Sequence, residues 1–263
     1  MADTQAPSAQ AEKNVSQTKP VETKETTPST MKTVSIDVKE LLEAGSHFGH
    51  QSQRWSPKIA PYIYATRNGV HIFDLFKTAE KLKEAAQFAY ELGKNNKTLV
   101  FVGSKRQAQE IVKEEAIAAG ALFVAIRWMG GTITNWDQIQ KSITKLANLK
   151  KDREEGTLEE MYTKRERVLI DKDINRLERF FGGIAPLKTI PDALFVVDIT
   201  KEAGAVKEAA VKNVPVIAIV DSNANPTLVD YPIPANDDAV RSIKVIVHII
   251  AQAYKEGKSA WQK

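Results

Sequence analysis

Thr98-Leu-Val-Phe-Val-Gly103 is apolar from its second residue to its fifth, and helical spacing follows over residues 105–119. There Ala108, Ile111, Val112, Glu115 and Ala119 fall on adjacent turns. Gly120 stops the helix, and Leu122-Phe-Val-Ala-Ile126 is a second apolar run. The same order returns later: Ala193-Leu-Phe-Val-Val197 reads as a strand, 202–212 as a helix, and Val216-Ile-Ala-Ile-Val220 as a strand. A strand with one wet face alternates apolar and polar residues. These do not alternate, so both of their faces must be covered. Strands of that kind separated by helices predict a parallel sheet with helices on both sides. Val240 to Tyr254 closes the pattern with an amphipathic helix.

Upstream, Asp37-Val-Lys-Glu-Leu-Leu-Glu-Ala-Gly45 is a short helix, capped by Ser35 or Asp37 and stopped by Gly45. Residues 46–68 have no clear periodicity. Val70-His-Ile-Phe73 is a short strand, and Asp74 caps a long helix built on Leu75, Ala79, Leu82, Ala86, Ala89 and Leu92. Residues 136–181 break the strand–helix order. Ile139, Ile143 and Leu146 on one segment, and Ile170, Ile174, Leu177 and Phe181 on another, follow heptad spacing, with a turn at Glu154-Glu-Gly156-Thr157. Two antiparallel helices in a coiled-coil hairpin are the expectation. The first, of about 15 residues, is about 22 Å long. Its mixed outer charges read as a solvated face. The organisation expected is a disordered tail at 1–31, an α/β domain at 32–135 and 182–257, the hairpin insertion at 136–181, and a C-terminal tail at 258–263.

Composition narrows the function. The 263 residues are 43% hydrophobic and 27% charged, enough for a sizeable core. No apolar run reaches the roughly 18 residues of a membrane span, so no membrane partner is expected. The chain has no cysteine, which removes disulfide frameworks, thiolate metal sites and thiol catalysis together and fits a reducing compartment. Residues 1–30 carry three Lys against Asp3, Glu12, Glu22 and Glu25, so the tail is −1 and the rest of the chain +5, for a net +4. That tail has almost nothing to bury, which predicts disorder. It has no secretory apolar region and no arginine. Met31 is a candidate start.

Four kinds of chemistry come into question. Gly103-Ser104-Lys105, Asp198 and Asp221 fall at carboxyl ends of strands, where doubly wound sheets bind ligands. Yet there is no G-x-G-x-x-G and no G-x-x-x-x-G-K-[ST], so no nucleotide cofactor is expected. His47-Phe-Gly-His50 places two histidines three apart, and Asp198 or Asp221 could complete a metal site. Gly49 disfavours the helix that would aim both rings together, and no metal is expected. No G-x-S-x-G is present, and Asp237-Asp238 reads as the N-cap of the last helix, so no catalytic set emerges. The remaining signal is basic residues beside aromatics: Arg54-Trp55-Ser-Pro-Lys58 with Tyr62, Tyr64 and Arg67; Lys105-Arg106; and Arg127-Trp128-Met-Gly-Gly-Thr-Ile-Thr-Asn135-Trp136. Cations for phosphates and planar side chains for bases are the means of RNA recognition.

Six motifs in order carry a family resemblance: His47-Phe-Gly-His50, Arg127 to Asn135, Phe181-Gly-Gly-Ile184, Pro191-Asp-Ala-Leu-Phe195, Ile219-Val-Asp-Ser-Asn-Ala-Asn-Pro226 and Ile233-Pro-Ala-Asn-Asp-Asp-Ala-Val-Arg-Ser242. Over about residues 32–257 the chain resembles the bacterial small-subunit ribosomal protein S-two family. The resemblance implies a Rossmann-like, flavodoxin-like α/β domain with a coiled-coil insertion and no catalysis. It also implies a cytoplasmic place in the 30S particle, bound to 16S ribosomal RNA and to neighbouring small-subunit proteins. Among those is the S-one protein, whose retention supports translation initiation. By position, Arg54, Trp55, Lys58, Lys105, Arg106, Arg127 and Asn135 are the expected RNA contacts, with Trp128, Gly130 and Gly131 shaping the turn that presents them. The competing expectation is an enzyme acting on a phosphorylated small molecule in the sheet's crevice.

Overall fold

A computed structural model describes residues 36–261; the expected N-terminal tail, the Met31 start, the Ser35 cap and the last two residues lie outside them. The chain opens with helix α1 (Val38–Glu43), whose cap is Asp37, its carboxylate accepting from the Lys39 amide at 2.8 Å. Three short strands follow, β1 (Phe48–Gln51), β2 (Ile63–Arg67) and β3 (Val70–Phe73), forming an antiparallel sheet in the order β1-β3-β2. Asp74 caps α2 (Leu75–Lys94) through the Phe76 amide, as its position predicts.

The predicted alternation then appears: β4 (Leu99–Val102), α3 (Gln109–Ala119), β5 (Leu122–Val124), and, after an insertion, β6 (Ala193–Val197), α7 (Ala203–Lys212), β7 (Val216–Val220), β8 (Tyr231–Pro234) and α8 (Val240–Trp261). The five strands pair in the order β5-β4-β6-β7-β8, every pair parallel. Along the chain that is second, first, third, fourth, fifth, the flavodoxin-like order.

Successive side chains on a strand point to opposite faces, and the core divides accordingly. Leu99, Phe101, Phe195, Val197, Ile217 and Ile219 meet α2, α3 and α8 on one face. Val100, Val102, Leu194, Val196, Ala218 and Val220 meet α7, Ile59, Phe73 and the base of the insertion on the other. Phe101 and Phe195, neighbours across β4 and β6, tilt together at 5.1 Å. Such a pair contributes about 0.5–1.5 kcal/mol beyond its burial.

Several boundaries differ from the sequence reading. Residues 105–108 form a turn, with the Lys105 carbonyl accepting from Ala108 and Gln109, so α3 starts four residues late. The strand expected to reach Ile126 ends at Val124. The last helix runs to Trp261 instead of ending at Tyr254, so residues 258–261 belong to it and not to a tail. Lys258 anchors them by donating to the Gly120 carbonyl at 2.8 Å. Asp237 and Asp238 do not cap that helix. Asn236 accepts from the Asp238 and Ala239 amides, and the aspartates turn elsewhere.

The insertion holds two long helices, α4 (Trp136–Glu154) and α6 (Lys164–Phe181), joined through Gly156 and a short α5 (Thr157–Met161). Thr163 and Glu166 form a capping box at the start of α6. Ile139, Ile143 and Phe181 join the domain core, and Leu146, Leu158 and Ile174 are buried, one from each helix. The ion pairs between the long helices are Lys145 with Asp173 and Lys150 with Glu178. The first long helix spans 19 residues instead of about 15, and Thr157 begins the short α5 instead of completing a plain turn; coiled-coil packing of the heptad positions is a proposal.

Candidate nucleic-acid interface

The strand order places a switch point between β4 and β6, where the chain leaves the sheet in opposite directions. In a nucleotide-binding domain, phosphates would sit there. Here Lys105 fills it. Its ammonium lies 2.6 Å from Asp237, 2.7 Å from Asp238 and 3.4 Å from Asp198. Burial works against that charge, but hydrogen bonds to Asp237 and Asp238 outweigh it and hold the ammonium above the ordinary lysine range. Glu202 accepts from the Ser104 amide at 3.0 Å, and Lys201 donates to the Ser104 carbonyl at 3.0 Å. Burial, then the nearby Asp198 and Asp221 charges, push Asp237 up to about 7 against the pull of Lys105. Buried carboxylates around an internal cation leave no place for a pyrophosphate.

His50 joins this network from β1. Its backbone amide donates to Ser222 at 2.7 Å and Asp221 at 3.2 Å, while its ring lies 3.0 Å from Asp221 and 3.4 Å from Asp238. The Asp221 hydrogen bond raises the His50 pKa over the opposing effect of burial. His50, Asp221 and Asp237 offer ligand atoms within 4.8 Å of one another and could hold a divalent ion. Such an ion would share Asp237 with the Lys105 ammonium. His47, whose buried Nδ1 has no partner, stands outside this group, as does Asp198.

The remaining predicted contacts flank these buried acids. Arg54, Trp55 and Lys58 are exposed on the loop between β1 and β2, and the Ser56 amide ties that loop to the Ser222 carbonyl after β7. Trp55 rests against His71, with ring centroids 5.0 Å apart. Arg106 is exposed after β4, Arg127 after β5, and Asn135 at the head of α4. The carboxyl ends of β5 and β7 are three strand spacings apart, about 14 Å. These residues therefore share one edge of the sheet. Lys105 alone among them faces inward, its side chain 12% exposed.

Sequence reasoning missed Glu208 on α7. Its carboxylate accepts from Trp128 Nε1, the amides of Gly131, Ile133 and Thr134, and the Thr134 hydroxyl, at 2.8 to 3.1 Å. Burial pushes Glu208 up, but the amide and indole donors outweigh it and hold its pKa below the ordinary range. In sequence, Glu208 is one charge on an alanine-rich helix and gives no sign of a partner 75 residues upstream.

The family described as ribosomal protein S2 matches residues 41–257 of this chain. Among curated relatives, the small ribosomal subunit protein uS2 of Coprothermobacter proteolyticus is 48% identical over 228 residues, which covers 86% of this chain and 84% of that protein.

Proposed function

The chain belongs to the ribosomal protein S2 family, and from that premise we propose that it binds 16S ribosomal RNA along the carboxyl edge of its parallel sheet. Members of the family are structural, non-enzymatic components of the small ribosomal subunit, which removes the crevice-enzyme alternative. The observation that supports the RNA reading is the division of charge at this edge: carboxylates and Lys105 close the interior, while Arg54, Lys58, Arg106 and Arg127 stand exposed around them. These four neutralise phosphates. Trp55 offers a ring to a base, and Asn135 offers polar atoms from the far end of the loop that Arg127 opens. Lys105, expected from sequence to join them, is withdrawn because its ammonium is already held by three aspartates. Contacts with neighbouring subunit proteins, retention of the S-one protein, and a cytoplasmic location in the 30S particle belong to the same proposal and rest on family membership.

Affinity for a 16S fragment, measured across a range of salt, tests this reading. Each of Arg54→Ala, Lys58→Ala, Arg106→Ala and Arg127→Ala lowers the salt slope by roughly one, because a phosphate that is no longer neutralised keeps its counterion. Trp55→Ala weakens binding by about 1–3 kcal/mol with the slope unchanged, since stacking releases no ions. Lys105→Ala keeps the slope but destabilises the fold by roughly 3–5 kcal/mol, because it leaves buried carboxylates without their cation. Four charge removals with unaltered affinity and slope would refute the contact face.

A further inference from the structure

The loop from Trp128 to Asn135 leads from β5 to α4 and donates to the most densely bonded carboxylate among the described residues, that of Glu208 on α7. Gly131 sits at φ +91°, a left-handed conformation that suits glycine and turns the amides of Gly131, Ile133 and Thr134 toward one point. Amides converging in this way form an anion cradle. The anion in it is Glu208: Oε1 takes Trp128 Nε1 and the Gly131 amide, and Oε2 takes the Ile133 amide, the Thr134 amide and the Thr134 hydroxyl. A carboxylate has about four lone-pair sites, so five donors saturate it and leave the cradle closed to a phosphate.

The loop's middle is pinned elsewhere as well. Trp128 and Ile133 are buried in the core, and the Thr132 hydroxyl donates to the Met129 carbonyl at 2.6 Å. Arg127 and Asn135, which flank the pinned stretch, are both exposed. The Asn135 amide donates to the Gly131 carbonyl at 2.8 Å, so the start of α4 hangs on the same turn. From α7, one side chain, Glu208, holds that turn between them.

We propose that Glu208 is a positioning residue for RNA binding: by filling the cradle of the 128–134 loop, it holds Arg127 and Asn135 toward the RNA. The inference rests on the RNA reading above and deepens it. Holding the arginine in place beforehand spares RNA binding the entropy of ordering the loop. The RNA phosphate meets Arg127 and not the loop amides, which Glu208 already occupies.

The test is a double-mutant cycle of Glu208→Ala and Arg127→Ala, read as affinity and salt slope for a 16S fragment, with thermal melting of each variant. Arg127→Ala is expected to weaken binding about tenfold and lower the slope by roughly one. Glu208→Ala, still melting cooperatively, should reproduce both effects, and the double variant should be no worse than either single one. If Glu208→Ala fails to fold, Glu208→Gln, similar in size but carrying amide hydrogens into a ring of donors, takes its place. Wild-type affinity in the Glu208 variants while Arg127→Ala is impaired overturns the positioning role and leaves the RNA reading standing. Additive losses do the same, as does tighter binding, which would make the cradle a phosphate site that Glu208 blocks. If neither Glu208 variant folds, the role is structural and the proposal falls. An Arg127→Ala variant with unchanged affinity removes the premise and the proposal together.

Discussion

Asp237 is a single carboxyl whose environment writes a pH dependence into the molecule. Its pKa rises from the ordinary 3.8 to about 7, because it is buried beside Asp198 and Asp221. A raised carboxyl pKa means the folded protein holds the proton more tightly than the unfolded chain does. The stability it contributes is present in full below about pH 4 and is lost as pH climbs toward 7. His50 acts in the same sense: with its pKa raised above 6.5, its contribution disappears as pH rises beyond that value. Melting temperature in metal-free buffer should therefore fall from about pH 5 to about pH 8. Asp237→Asn should flatten the part of that fall below about pH 7, by about 3 kcal/mol at the upper limit. A variant with the wild-type profile would mean that Asp237 is ionised throughout. None of this was legible in the residues themselves. Asp237-Asp238 before a helix suggests a cap, and Lys105-Arg106 after a strand suggests two equivalent phosphate contacts. The fold turns both aspartates onto Lys105, whose side chain is drawn in among the acids at the strand ends while Arg106 stays outside.

Elements were legible where burial dictates pattern and illegible where neighbours do. β4, β6 and β7 lie inside the sheet, and their unbroken apolar runs made them plain. β8 has Pro232 and Pro234 in four residues, which argues against a strand; it exists because it is an edge, where missing amide donors are tolerated. β1 and β2 are irregular, their pairing with β3 interrupted by register shifts, and alternation is lost with the register. The end of α8 was missed for another reason. Its continuation depends on contact with α2, where Gly257 lies so close to the Tyr90 carbonyl that an added Cβ would come within 2.1 Å. Gly93 on α2 meets the Tyr254 carbonyl in the same way. Gly257→Ala should force the two helices apart, costing roughly 1–3 kcal/mol. At this chain size, that is a fall of about 2–12 °C in melting temperature. Gly130→Ala, with open space at its Cβ, is the control. Equal melting of the two variants would show that the crossing yields without strain.

On the scale of the whole molecule, a five-stranded sheet has two edges that could pair with another chain, and each is obstructed. At β8, the Thr78 hydroxyl of α2 donates to the Pro234 carbonyl at 2.6 Å, and Phe88 stacks on Tyr231 at 4.3 Å. At β5, the backbone of Gly183 lies against the strand, where a Cβ would come within 2.2 Å of the Phe123 carbonyl. Gly183→Ala should lift that segment from β5 and produce concentration-dependent association, seen as a rising apparent mass by light scattering. A variant that stays monomeric at every concentration would show that the edge is protected by other means.

The position of α8 has a consequence in time. It is the last element of the described chain, yet it supplies Ile243, Ile246, Val247, Ile250 and Tyr254 to the face of the sheet shared with α2 and α3. A chain emerging from its N-terminus presents that face before the helix that seals it has been made. Until α8 has been made, Leu99, Phe101, Phe195 and Ile217 lack its cover along one side, as an adhesive surface that another nascent chain or a chaperone can reach. This protein can therefore complete its own interior only after α8 has emerged from the ribosome that builds it.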